Sequence, residues 1–229
     1  MLASSKRLDG ALIVFDLDGT LVDTAPDLMN TLNTVLDEEG LPPLPYELAP
    51  TLVGRGAKVM LERGFAADGR PLDEPDASRL FDRFIEHYLV HIADQSRPFP
   101  GVIEAMDRLE AGGAILAICT NKRTDLSLAV LDALDLTKRF KAVVGPDMAP
   151  RPKPDASHLL TTIELAGGDR RRAVMVGDSI NDALAAKNAK VPLVMVSFGY
   201  TDVPARDMDP DALIDRFDQL YDQVGRLLA

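Results

Sequence analysis

Two aspartates, Asp16 and Asp18, stand two residues apart directly behind the apolar run Ala11-Leu12-Ile13-Val14-Phe15. In an extended chain alternate side chains share a face, so both carboxylates are expected on one side while Leu17 turns to the other. Two like charges about 4 Å apart, at an effective dielectric of about 20, repel by roughly 4 kcal/mol. Such a pair calls for a divalent cation or a retained proton. Later apolar runs end in residues of matching chemistry. Residues 114–119 are followed by Thr120-Asn121-Lys122, residues 142–144 by a loop leading to Lys153, and residues 173–176 by Gly177-Asp178-Ser179 and then Asp182. Four carboxylates, a hydroxyl and an ammonium collected in one place suit a phosphoryl group held beside Mg2+.

These residues meet only if the runs that precede them are neighbouring strands. Residues 11–15, 114–119, 142–144, 173–176 and 193–196 have strand length. From about residue 101 they alternate with helical patterns at 102–110, 124–134, 155–166 and 180–188. Unbroken apolar strands are buried on both faces, which predicts an α/β fold with a doubly wound, Rossmann-like parallel sheet. In such sheets ligands bind beyond the carboxyl ends of the strands, where all the candidate residues fall.

Residues 23–97 break that alternation and read as helices only. Leu28, Leu32, Val35 and Leu36 trace one helical face; Leu80, Phe81, Phe84, Ile85, Tyr88, Leu89 and Ile92 trace a wider one. The expectation is an inserted α-helical cap domain over 23–97, with 1–22 and 98–229 forming the α/β core. Both crossings then lie near the candidate site, as a mobile lid requires. A helical decoration without a part in catalysis is the other reading of the same pattern.

Composition narrows the function classes. The chain has 229 residues, of which 46% are hydrophobic, enough for a substantial core rather than a disordered chain. Thirty-six acidic against 25 basic residues give a formal net charge of −11, which argues against nucleic acid or an anionic membrane as a large-surface partner. No run approaches the ~20 apolar residues of a membrane span. The single Cys119 cannot form an internal disulfide and reads as a buried strand residue. His87 and His91 share a helical face but have no third ligand at metal-binding spacing. The expectation is a cytoplasmic monomer or homodimer that takes a small phosphorylated metabolite into a local cationic pocket.

Taken singly, Asp18-Gly19 reads as a turn, and Thr120 or Ser179 as a helix cap. Taken in order, Asp16-Leu17-Asp18-Gly19-Thr20-Leu21, Thr120-Asn121, Lys153-Pro154 and Gly177-Asp178-Ser179-Ile180-Asn181-Asp182 resemble the haloacid dehalogenase superfamily of aspartate-nucleophile phosphohydrolases. The resemblance runs over residues 12–196, and the helical insert falls where that family carries its small cap. It implies a Mg2+-dependent phosphatase with Asp16 as nucleophile and Asp18 as acid and base. Thr120, Asn121 and Lys153 would hold the phosphoryl group. Asp16, Asp178 and the Asp18 carbonyl would ligate the metal, with Asp182 and Asn181 behind them. An acid at Asp18 favours phosphate esters, because dehalogenase members lack it. The turn Gly54-Arg55-Gly56, with Lys58 after it, looks most like the phosphoglycolate phosphatase branch. That likeness implies Arg55, Gly56 and Lys58 as substrate-specificity residues near the carboxylate of 2-phosphoglycolate; a solvated loop charge is the other reading of Arg55. Sugar-phosphate phosphatases, pyrophosphatases and phosphomutases of the family carry similar turns and stay open. A non-enzymatic phospho-acceptor module is disfavoured, because its acceptor would follow a middle strand rather than the first.

Overall fold

A computed structural model describes residues 8–54 and 56–229. The chain opens with β1 (Leu12–Phe15) and β2 (Val22–Asp23), then runs through four helices: α1 (Ala25–Glu38), α2 (Ala49–Leu52), α3 (Ala57–Ala67) and α4 (Glu74–Val90). It returns through β3 (Arg97–Pro98). There follow α5 (Val102–Ala111), β4 (Ile115–Cys119), α6 (Thr124–Ala133), β5 (Val143–Val144), α7 (Ala156–Leu165), β6 (Ala173–Gly177), α8 (Ile180–Ala189) and β7 (Leu193–Val196). β8 (Ala212–Ile214) and α9 (Leu220–Leu227) complete the described elements.

Six strands form one parallel sheet in the order β5-β4-β1-β6-β7-β8. The order reverses on either side of β1, so the switch point that opens a ligand crevice in doubly wound sheets lies at the end of the strand that carries Asp16. Alternation along β1 splits the core as the apolar run predicts. Ile13 and Phe15 join the cluster holding Val102, Met106, Val130, Leu220 and Val224 of α5, α6 and α9. Leu12 and Val14 join Leu159, Ile163, Ala183 and Ala186 of α7 and α8 on the other face. Helices therefore cover both sides of the sheet, and the α/β doubly wound expectation holds.

The expected strands and helices all occur, most with ends shifted by a residue. Asp155 lies outside α7 and caps it, its Oδ1 accepting the Ser157 N–H at 2.9 Å. Three strands go beyond the sequence reading. β8 extends the sheet edge, and β2 pairs antiparallel with β3, Val22 opposite Pro98 and Asp23 opposite Arg97. That short ladder fastens together the two crossings of the helical insert. Within the insert α4 packs on α1 and α3. Leu80, Phe84 and Tyr88 are buried, whereas Leu89, expected on the same face, is 44% exposed because it falls just beyond the packed stripe.

Candidate active site

The site assembles at the carboxyl edge of the sheet. β1 delivers Asp16, whose N–H still donates to the Val176 carbonyl of β6 (2.9 Å); β4 delivers Thr120, whose N–H donates to the Val144 carbonyl of β5 (3.1 Å). β6 ends at Gly177, and Asp178 follows. Lys153 comes from the loop between β5 and α7 and is almost wholly buried. Its Nζ lies 2.9 Å from Asp16 Oδ1 and 2.6 Å from Asp182 Oδ1.

Each of these groups is fixed from behind. Asn121 Nδ2 donates to the Lys153 carbonyl at 2.9 Å, and the Lys153 N–H donates to His158 Nδ1 at 3.1 Å. Since Nδ1 accepts, the proton of this neutral imidazole sits on Nε2, which faces the Val144 carbonyl at 3.1 Å. Asp182 is committed by both oxygens: Oδ1 to Lys153, and Oδ2 to the Ser179 hydroxyl (2.6 Å) and Ser179 N–H (3.0 Å). Asp178 accepts the Thr20 hydroxyl on Oδ1 and the Tyr200 N–H on Oδ2, both at 2.7 Å. Glycines let these strands of chain close on it. A Cβ on Gly19, where φ is +83°, would lie 2.5 Å from Asp178 Oδ2, and one on Gly199 would lie 2.1 Å from Asp178 Cβ.

Asp16 and Asp18 line one cavity, as the two-residue spacing predicts, but only Asp16 joins the close carboxylate cluster. Oxygens of Asp16, Asp178 and Asp182 all lie within 4.8 Å of one another. Asp18 faces other partners, with its Oδ1 and Oδ2 3.0 and 3.1 Å from Lys122 Nζ, and Oδ1 accepting the Thr24 hydroxyl at 2.7 Å. The reason is local. β1 stops at Phe15, and the N–H groups of Leu21 and Val22 both turn back to the Leu17 carbonyl, so strand alternation no longer governs residue 18. The like-charge pair is thus divided between two buried lysines.

Three carboxylates against the single Lys153 leave this part of the site short of positive charge. Burial pushes Asp16 up to about 7 despite the pull of Lys153, and Asp182 adds to the rise. Burial likewise raises Asp178 well above the usual carboxylate range, with Asp182 and Asp16 adding to it. A buried, all-oxygen, net-negative cradle has the donor chemistry of a hard divalent cation, so the residues fit the metal that the sequence leads one to expect.

Over the acids lies a cavity of about 330 Å3. Asp16, Asp18, Thr120 and Lys122 reach it from the sheet; Leu28, Met60, Phe81, Phe84, Ile85 and Tyr88 close it from the insert. Gly54, Gly56 and Lys58 also line it, with Lys58 exposed and its Nζ 5.7 Å from the Phe81 ring centroid. Arg55 lies outside the described residues. Asn181 lines a second cavity of about 460 Å3, together with Asn121, Lys153 and Ser179. His87 and His91 belong to no group of three candidate metal ligands among the described residues; His87 Nδ1 meets Thr31 Oγ1 at 3.2 Å and His91 Nδ1 meets Asp94 at 2.7 Å.

Sequence reasoning gave no role to Lys122, Thr24, Thr20, Tyr200 or Tyr88. Lys122 had a signal, since it directly follows Thr120-Asn121 at a strand end. Tyr88 had none, because by periodicity it is one more apolar position on α4.

The family described as haloacid dehalogenase-like hydrolase matches residues 13–196. The phosphoglycolate phosphatase of Caulobacter vibrioides is 56% identical over 210 residues, covering 92% of this chain and 89% of that protein. The phosphoglycolate phosphatase of Agrobacterium fabrum is 51% identical over 206 residues, covering 90% and 88%. A crystal structure of a predicted phosphoglycolate phosphatase from Haemophilus somnus 129pt superposes with a TM-score of 0.87 at 31% identity, covering 94% of this chain and 97% of that one.

Proposed function

The chain belongs to the haloacid dehalogenase-like hydrolase family and is a phosphatase, and from that premise we propose that it hydrolyses 2-phosphoglycolate through an aspartyl-phosphate on Asp16, with Mg2+ as its metal. The extent of identity to proteins named phosphoglycolate phosphatase carries the choice of substrate. Asp16, Asp18, Thr120 and Lys122 opening on one chamber support it.

In this reading a carboxylate oxygen of Asp16 attacks phosphorus as the bond to the leaving oxygen breaks, and Asp18 gives that oxygen a proton. Asp18 then takes a proton from the water that attacks the phosphoenzyme, and Asp16 is released as carboxylate. Thr120 Oγ1 accepts the Lys122 N–H at 3.1 Å, which leaves its own proton to donate to a phosphoryl oxygen. Lys153 is a compact point charge seated between Asp16 and Asp182, where it offsets charge building on the phosphoryl group. Asp182 acts as a positioning residue through Lys153. Mg2+, held by Asp16, Asp178 and the Asp18 carbonyl, would supply further positive charge to the phosphoryl oxygens. Residues 23–97 serve as a cap over the core, and their apolar wall keeps bulk water from the phosphoenzyme.

The test is phosphate release from 2-phosphoglycolate, hexose phosphates, nucleoside monophosphates and pyrophosphate. Each is run with Mg2+, with a chelator, and with Asp16→Asn as the blank. The highest kcat/KM is expected for 2-phosphoglycolate, with activity lost in chelator and in the blank. A higher value for another ester replaces the substrate; wild-type rates in Asp16→Asn remove the mechanism.

A further inference from the structure

The 330 Å3 chamber has few polar groups on the side away from the acid cradle, and two of them are unusual. Lys122 is buried, 8% exposed, and its ammonium lies 4.7 Å from the Tyr88 ring centroid. An ammonium has three N–H donors, and the two Asp18 oxygens at 3.0 and 3.1 Å take at most two of them. Tyr88 is fully buried on α4 and lines the same chamber. Although Lys122 sits against the phenol, no hydrogen bond of normal length and angle reaches Tyr88 Oη among the described residues. A buried hydroxyl without a partner is costly to retain, and one that faces a chamber is what a ligand acceptor would satisfy. The neighbouring wall consists of Leu28, Met60, Phe84 and Ile85, which offer no competing polar contact.

We propose that Lys122 and Tyr88 form a carboxylate receptor for the leaving-group end of the substrate, the core supplying the cation and the insert the hydroxyl. This rests on the reading of the substrate as a small phosphorylated acid and adds the residues that choose it. One carboxylate oxygen takes the free N–H of Lys122, and the other takes the Tyr88 O–H. Because the receptor draws on both the core and α4, it is complete only when the insert is seated on the sheet. Lys122 also touches Asp18, so a substrate gripped there has its leaving oxygen on the Asp18 side of the phosphoryl group.

The test compares 2-phosphoglycolate with 2-hydroxyethyl phosphate, which replaces the carboxylate with a neutral alcohol, and reads the ratio of their kcat/KM values. Both esters need the same nucleophile and the same proton from Asp18, so damage to either divides out of the ratio. In Tyr88→Phe the preference for the acid ester falls about tenfold, mainly through its KM, as expected for loss of one hydrogen bond to a charged group. In Lys122→Gln it falls further, and Lys122→Arg, which keeps the charge, recovers part of it. Tyr88→Phe loses only the hydroxyl and leaves the ring packed on Phe84, 6.1 Å away between centroids, so the fold is retained. A wild-type preference for the acid ester that Tyr88→Phe and Lys122→Gln both keep overturns the receptor alone. A wild type that ignores 2-phosphoglycolate while hydrolysing another ester overturns the substrate reading, and the receptor with it.

Discussion

His158 illustrates how a residue outside the chemistry governs it. Its imidazole bridges the Lys153 amide and the Val144 carbonyl and is fully buried. Burial, followed by the Lys153 charge, lowers its pKa to about 4 from the ordinary 6.5. Between those values the unfolded chain binds a proton that the folded one refuses, so stability rises with pH across this window. The contribution is complete above about pH 6.5 and is lost as pH falls toward 4; the shift corresponds to about 3 kcal/mol at most. Urea unfolding of wild type and His158→Gln should therefore show a stability difference that narrows by about 2 kcal/mol between pH 7.5 and 4.5. A difference independent of pH would show that the imidazole is not held neutral.

Among the elements, the neck of the insert is the most consequential joint. Besides the β2–β3 ladder, Asp27 on α1 accepts the N–H groups of Gln95 (3.0 Å) and Ser96 (2.7 Å) and the Ser96 hydroxyl (2.6 Å), so the first helix of the insert grips the chain that leaves it. Tyr200 adds a second tie from the core, its hydroxyl accepting the Ala25 N–H at 3.1 Å and donating to Asp23. Removing the buried carboxylate leaves several donors unpaired, and Asp27→Ala should lose about 3 kcal/mol of stability. Limited proteolysis near residues 93–97 should speed up in parallel, and unchanged cleavage would argue against the joint. None of this was legible in the sequence. Asp16 and Asp178 could be read because each follows a strand, Asp182 because it opens a helix, and Lys153 because it stands in the loop between a strand and a helix; a single strand carries its own signature. Val22-Asp23 and Arg97-Pro98 are too short to show one, and Ala212-Leu213-Ile214 is equally brief. The contact between Lys122 and Tyr88 depends on how the insert docks, which no local pattern encodes.

For the whole molecule the acid cradle predicts a stability that depends on metal. A cation bound only by the folded state at tenfold its Kd contributes about 1.4 kcal/mol, or roughly 3–5 °C in Tm for a chain of this size. Wild type should gain that much with Mg2+, and Asp178→Asn should gain little; equal gains would place the binding elsewhere. The sheet order carries a different consequence, for synthesis. β1 lies at the centre of the sheet, yet Leu12 pairs with Ile115 on one side and Ala173 on the other. As the chain emerges, this wholly apolar strand must wait with both edges bare, while the helices of the insert, made next, can form from local contacts. The nascent protein therefore exposes a sticky edge until β4 arrives, and β6 must arrive before the second edge is covered. Translation speed and chaperone access through the first three-quarters of the chain should govern its yield more than the stability of the finished fold.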